Sequence, residues 1–227
     1  MYSAMHRVLR DNGLSIVLVG LFLAFWAGQS IVGHREHSAD QREHGQAPLP
    51  YVNYIRSAHF WEATTENWES EFLQMFAYVM LTAMLFQRGS AESKDPDKKE
   101  EAVDRDPRKA RNKPDAPWPV HRGGVALKLY EHSLSLSFLL IFVVSIVLHA
   151  AAGAAVYNEE QSAHGSADLV SIVQYAMTSR FWFESLQNWQ SEFLAIAAMV
   201  VFSIFLRQRG SPESKPVDAP HRETGAE

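Results

Sequence analysis

Residues Leu14–Gly33 read LSIVLVGLFLAFWAGQSIVG, a run without a charged side chain. A helix of this length spans about 30 Å, the thickness of the hydrocarbon core of a bilayer. Leu134–Val156 is a second such run, and His149 is its only ionisable residue. Two shorter apolar runs lie at Phe72–Phe86 and Phe193–Leu206, one after each of the long runs. The sequence therefore predicts an all-α, multi-pass integral membrane protein.

The composition excludes several classes of function. The 227 residues contain no cysteine, which removes disulfides, thiolate metal sites and thiol nucleophiles. The net charge of −5 and the lack of a basic patch argue against a nucleic-acid partner. The sequence also lacks a phosphate-binding glycine loop, a His-Glu-x-x-His motif and a convincing Ser/His/Asp set. We expect neither enzymatic activity nor a cofactor.

An internal repeat organises the chain. The block NWESEFL at 67–73 matches NWQSEFL at 188–194, and QRGS at 87–90 matches QRGS at 208–211. Further matching pairs are Phe60 with Phe181, Trp61 with Trp182, Glu92 with Glu213, Ser93 with Ser214 and Lys94 with Lys215. We interpret the chain as a tandem duplication. The first apolar run is then a retained helix and not a cleaved signal peptide, because its counterpart lies in the middle of the chain.

Each half is expected to contribute two transmembrane helices, which gives four helices in two tandem hairpins. Lys and Arg number two before the first helix, eleven in Gln87–Lys128 and four after Leu206, but only three and one in the two other loops. The positive-inside rule then places both termini and the long linker in the cytoplasm, with the protein in the cytoplasmic (inner) membrane. The expected boundaries are 1–94 for the first repeat, 95–128 for a disordered charged linker, 129–215 for the second repeat and 216–227 for a disordered tail.

The second helix of each half has recognisable ends. Ser57 and Thr178 are predicted N-caps, because a hydroxyl oxygen satisfies a free backbone N–H at a helix start. Gly89 and Gly210 are predicted C-terminal stops. Each helix would then be about 30 residues long, and its outer third would lie at or beyond the membrane surface.

The repeated block in this outer third contains the candidate site. Its polar members are Glu71, Glu192, Asn67, Asn188 and Gln74. An accompanying aromatic motif consists of Phe60, Trp61, Trp68, Phe181, Trp182 and Trp189, as expected of a membrane–water interface. Two interpretations remain open. Glu71 and Glu192 share a proton or hold a cation across a pseudo-two-fold axis, or the block is an interfacial packing motif.

The histidines are weaker candidates. The stretch HREHSADQREH at 34–44 is expected to be a polar outer loop, and His34, His37 and His44 are weak candidates for metal binding. The second outer loop keeps only His164. His149 aligns with Gln29 and is expected to be a hydrogen-bonded core residue.

The strings DQREHG at 40–45, HFWEATTENW at 59–68, NWESEFLQ at 67–74 and FQRGSAESKDPD at 86–97 resemble an uncharacterised family of bacterial integral-membrane proteins, a domain-of-unknown-function family. The resemblance covers both membrane halves and excludes the linker and the tail. It implies a paired-helix unit that occurs twice in longer members, and it implies no activity.

The leading functional hypothesis is a structural or accessory component of the cell envelope. Its partners would be the lipid bilayer and either another membrane protein or a second copy of the chain. The alternative is a small proton or cation transporter or channel that uses paired intramembrane carboxylates. The position of Glu71 and Glu192 relative to each other distinguishes the two hypotheses.

Overall fold

The computed structural model describes residues 2–99, 101–163 and 169–225. This part of the chain is all-helical, with 71% of residues in helices and no strand. The α-helices are α1 (Tyr2–Glu43), α2 (Tyr51–Tyr54), α3 (Ala58–Met84), α4 (Trp118–Arg122), α5 (Gly124–Glu131), α6 (Ser133–Ala163), α7 (Ile172–Ala176) and α8 (Ser179–Phe205). Two short 3₁₀ helices, Ala102–Asp104 and Pro107–Ala110, lie between α3 and α4. The all-α prediction is confirmed.

Among the described residues, three helices are long and apolar enough to cross a membrane: α1 from His6 onward, α6 and α8. Helix α3 has the same length as α8, 27 residues, but does not meet this criterion. Its sequence includes Glu62, Glu66, Glu69 and Glu71, which lower its mean hydropathy.

The bundle is built around α3. Helix α3 packs along α6 and also against α8. Helix α1 is more peripheral and meets α3 through rings, with the centroid of Trp26 lying 6.1 Å from those of Phe60 and Trp68. Most of the apolar surface of α1 is exposed, which is the arrangement expected of a helix that faces lipid.

The predicted N-caps are confirmed. The Ser57 hydroxyl accepts a hydrogen bond from the Phe60 N–H, and the Thr178 hydroxyl accepts one from the Phe181 N–H. The predicted C-terminal stops at Gly89 and Gly210 are not the helix ends. Helices α3 and α8 end five residues earlier, at Met84 and Phe205, and each glycine instead occupies a turn with positive φ.

The stretch 34–44, predicted to be an outer loop, is mostly helical. Helix α1 continues through it to Glu43, and α6 likewise continues to Ala163. No Gly or Pro lies between Gly33 and Gly45, so nothing in the local sequence interrupts the helix.

The linker and the tail, predicted to be disordered, form hydrogen-bonded turns where the structure describes them. The Lys215 ammonium is buried and donates to the carbonyl oxygens of Gly89, Pro220, His221 and Glu223. The Gly89 N–H donates to the Thr224 hydroxyl. The tail therefore folds back onto the segment that follows α3, and the two segments form one polar layer at the C-terminal ends of α3 and α8.

Candidate functional site

Buried charged side chains gather between α3, α6 and α8. Glu69 on α3 and His149 on α6 are both 0% exposed, and Glu69 Oε2 lies 2.8 Å from His149 Nδ1. The other oxygen of Glu69 accepts a 3.0 Å hydrogen bond from the Trp189 indole on α8. One buried carboxylate thus connects three helices.

The second ring nitrogen of His149 faces another carboxylate. His149 Nε2 lies 3.6 Å from Glu184 Oε2, too far for a hydrogen bond. Glu184 accepts hydrogen bonds from the Tyr175 hydroxyl at 2.8 Å and from Arg180 Nε at 3.0 Å. Arg180 also pairs with Glu160, whose side chain is half exposed. These contacts connect the buried histidine to the surface.

Helix α3 adds two glutamates. Glu66 accepts a hydrogen bond from the Asn188 amide on α8. Glu62 is buried, and its Oε1 has no hydrogen-bond partner in the described part of the chain. The buried cluster contains four carboxylates: Glu62 and Glu69, which are buried, and Glu66 and Glu184, which are partly buried. Arg180, which also pairs with Glu160, and a protonated His149 can balance at most two of these charges, so the excess negative charge favours further protons or a bound cation.

The positions of these groups follow from helix geometry. Glu62, Glu66 and Glu69 are spaced by four and three residues, which places them on one face of α3.

On α6, one turn beyond His149, Gly153 lies directly against the Tyr175 ring, and an added Cβ would overlap that ring. Burial raises the pKa of Tyr175, and its hydrogen bond to Glu184 raises it further. Tyr175 therefore remains a hydroxyl donor to Glu184 at physiological pH.

This geometry suits proton transfer. A histidine can accept a proton at one ring nitrogen and release a proton from the other. His149 has a carboxylate near each nitrogen: Glu69 in hydrogen-bond contact and Glu184 within a small side-chain movement. The cluster can therefore store a proton and pass it between two carboxylates.

The sequence-predicted polar residues lie nearby. Glu71 is exposed and Glu192 is partly buried, and the two carboxylates lie within electrostatic range of each other. Gln74 is buried and donates to the backbone carbonyl of Glu192 at 3.0 Å. Asn67 is exposed and bonds the Ala63 carbonyl of its own helix. Within the described chain, Asn188 is the member of this predicted set that hydrogen-bonds to a side chain of the buried cluster, Glu66.

The aromatic motif divides into buried and exposed members. Phe60 and Phe181 are buried, and the Phe181 ring lies 4.9 Å from that of His149. Trp61 and Trp182 are 37% and 44% exposed. Trp68 and Trp189 are partly buried.

The three weak metal candidates have other neighbours. His34 lies 2.8 Å from the Leu49 carbonyl, and the His37 ring lies 4.6 Å from the His59 ring. His44 pairs with Asp40. In the described ranges, no group of three or more His, Asp or Glu side chains is placed to hold a metal ion. His164 lies outside the described residues.

Sequence reasoning did not select the charged cluster. It expected His149 to be a hydrogen-bonded core residue, which holds for Nδ1 but not for Nε2, since Nε2 has no hydrogen-bond partner in the described chain. It assigned no role to Glu62, Glu66, Glu69 or Glu184. The sequence does contain a signal. In the alignment of the two halves, five pairs that differ in charge stand out: Gln29 with His149, Glu62 with Phe183, Ala63 with Glu184, Glu66 with Gln187, and Glu69 with Gln190. Each pair contributes one residue to the cluster.

Comparison with known proteins gives a family. No curated protein and no solved structure matches the chain. A family model described as a domain of unknown function, DUF6766, matches residues 5–226, which is nearly the whole sequence, and the protein therefore belongs to the DUF6766 family.

Proposed function

We propose that this protein is a small multi-pass membrane protein that transfers protons, with Glu69, His149 and Glu184 as its relay and without enzymatic activity. The observation that carries the proposal is His149, which is fully buried between two carboxylates on neighbouring helices. Ionisable groups are costly inside a membrane bundle, and where they occur they commonly form proton or ion pathways. The excess of carboxylates over cations favours proton uptake over a purely structural ion pair.

The proposed arrangement has four transmembrane helices, with α3 as the fourth. Helix α3 is as long as α8, and Glu62 and Glu69 are buried in the bundle, away from lipid. The hydrogen bonds of Gly89, in the segment that follows α3, with Lys215 and Thr224 support the placement of this segment and the tail on one side of the membrane. We propose that this side is the cytoplasm and that the membrane is the inner membrane.

Proton flux into liposomes tests the proposal. The purified full chain is reconstituted with a pH-sensitive dye inside, and a potassium gradient with valinomycin drives proton entry. We expect flux with the natural chain and at least about a tenfold loss with the double variant Glu69→Gln/His149→Gln, since a missing relay group typically costs a factor of ten or more.

The double variant replaces two charges with amides that can still hydrogen-bond, so the fold is expected to survive. Glu159→Gln is the matched control, because Glu159 is exposed at the outer end of α6. Equal flux in all three proteins would refute the relay. If Glu159→Gln also loses flux, the loss comes from the reconstitution and not from the relay.

A structural or accessory role is the second candidate, and the exposed rings of Trp61 and Trp182 favour it. These rings lie at matching positions of the two halves and could contact a second copy of the chain. Cross-linking in native membranes tests this role. A dimer that disappears with Trp61→Ala/Trp182→Ala would support it, and a monomer in both proteins would count against it.

A further inference from the structure

An open cavity of about 790 Å³ lies between α1 and α3, apart from the buried relay. Its walls include Phe22 and Trp26 from α1 and Asn67, Trp68, Glu71 and Phe72 from α3. This volume is typical of small-molecule sites, which combine apolar walls with a few polar groups. The cavity also unites residues that the sequence singled out, namely Glu71, Asn67 and Trp68.

Aromatic rings dominate one wall. The centroids of Phe22, Trp26 and Trp68 lie 5.9 to 6.3 Å from one another. Indole and phenyl faces attract cations through the negative face of the ring, and tryptophan does so most strongly. Such a wall suits a cation with an apolar exterior.

The charge of the cavity has a single sign. Glu71 is its only charged lining residue, and no lysine, arginine or histidine forms an ion pair with Glu71 within the described chain. The Glu192 carboxylate lies within electrostatic range and adds to the negative potential. A positive ligand would relieve this repulsion.

We propose that this cavity binds a lipophilic organic monocation, with the positive centre between Glu71 and the Trp26 and Trp68 rings. A zwitterionic lipid headgroup fits less well, because no cationic side chain among the described lining residues would balance its phosphate. The proposal does not rest on proton transfer, since Glu69 and His149 do not line the cavity.

Equilibrium dialysis of tetraphenylphosphonium against the full chain in phosphatidylcholine nanodiscs tests the proposal. We expect saturable binding that weakens about tenfold with Glu71→Gln and with Trp68→Leu, the range that cation–π and partly exposed charge contacts provide. Glu159→Gln is expected to bind like the natural chain. Should Trp68→Leu fail to fold, Trp68→Phe keeps a ring and is expected to show a smaller loss.

Three outcomes would overturn the proposal. They are unchanged affinity in Glu71→Gln, equal affinity for the neutral triphenylphosphine oxide, and loss of the probe when phosphatidylethanolamine is added to the nanodiscs. The last would identify the cavity as a lipid site. Glu69→Gln/His149→Gln is expected to keep full binding, so a failure of the relay and a failure of this site are distinguishable.

Discussion

Glu69 accepts hydrogen bonds from the His149 ring on α6 and from the Trp189 indole on α8, so its replacement affects two helices at once. Glu69→Leu would leave His149 and the Trp189 indole without this acceptor, and we expect a loss of about 3–5 kcal/mol in the free energy of unfolding. Glu69→Gln keeps an acceptor for Trp189, and we expect a loss of about 1–2 kcal/mol. Thermal unfolding in detergent, followed by circular dichroism, measures both.

Gln190→Leu is the control for Glu69, because Gln190 is its aligned counterpart and is exposed. We expect a change within about 0.5 kcal/mol, as for most surface substitutions. Equal losses in Glu69→Leu and Glu69→Gln would show that the acceptor does not stabilise the bundle.

Glu92 gives the protein a pH-dependent stability outside the bundle. Burial raises the pKa of Glu92 above its usual 4.5, and the neighbouring Glu213 carboxylate raises it further, against the hydrogen bond from Tyr78. The folded chain then holds a proton that the unfolded chain has already released. Stability therefore falls as the pH rises from about 4.5 through the raised pKa, and the loss is complete above it.

Glu92→Gln removes this loss while keeping an acceptor for Tyr78. We expect a higher melting temperature than that of the natural chain at pH 8, and no difference at pH 4. Melting curves across this pH range measure the effect. A higher melting temperature at pH 4 as well would mean that the cause is packing and not ionisation.

At the residue scale, the sequence identified the right region but not the charged cluster. It selected Glu71 and Glu192 because both halves retain them, and both lie on α3 or α8 near the buried glutamates. Glu69 and Glu71 are two residues apart and hence point to different sides of one helix, so only the packing of α3 on α6 decides which is buried. The packing of α3 on α6 cannot be read from a single sequence.

At the scale of elements, Gly153 allows α7 to approach α6. An added Cβ would overlap the Tyr175 ring, which is itself fully buried and holds Glu184. We expect Gly153→Ala to cost about 1–3 kcal/mol, as other cases of overpacking do. Gly28→Ala on α1 is the control, because no atom of the described chain lies within 4 Å of a Cβ added there. We expect this variant to lose no stability. Equal melting temperatures for the two variants would contradict the close approach.

Local chemistry explains which element boundaries were predictable. In the caps at Ser57 and Thr178, the hydroxyl accepts a hydrogen bond from the backbone N–H three residues later. This spacing is visible in the sequence. Beyond the C-terminal ends, backbone N–H groups donate to hydroxyls six residues further on and not to a preceding helical turn: Gln87 N–H donates to Ser93, and Gln208 N–H donates to Ser214. These contacts form only after the chain has turned back, so the glycine pattern alone placed the helix ends too late.

At the scale of the whole molecule, the linker and the tail differ most from the sequence prediction. Their composition is polar and rich in proline, which usually indicates disorder. In the structure, Lys215, directly before the tail, is buried under four backbone carbonyls, three of them from the tail, and Asp97 and Asp104 of the linker pair with Arg88 and Lys94. Composition does not reveal such specific partners, because it does not say which charges and carbonyl oxygens meet once the chain has turned.

Topology is the prediction that belongs to the molecule as a whole. The hydrogen bonds between the segment after α3 and the tail require both to lie on the same side, and the Lys and Arg count predicts that this side is the cytoplasm. The chain has no cysteine, so Ala102→Cys and Glu159→Cys, both at exposed positions, can each be labelled without background. We expect a membrane-impermeant maleimide to label Glu159→Cys in intact cells, and Ala102→Cys only after permeabilisation. The opposite pattern would invert the topology, and labelling of both in intact cells would mean that α6, the long helix between the two positions, does not cross the membrane.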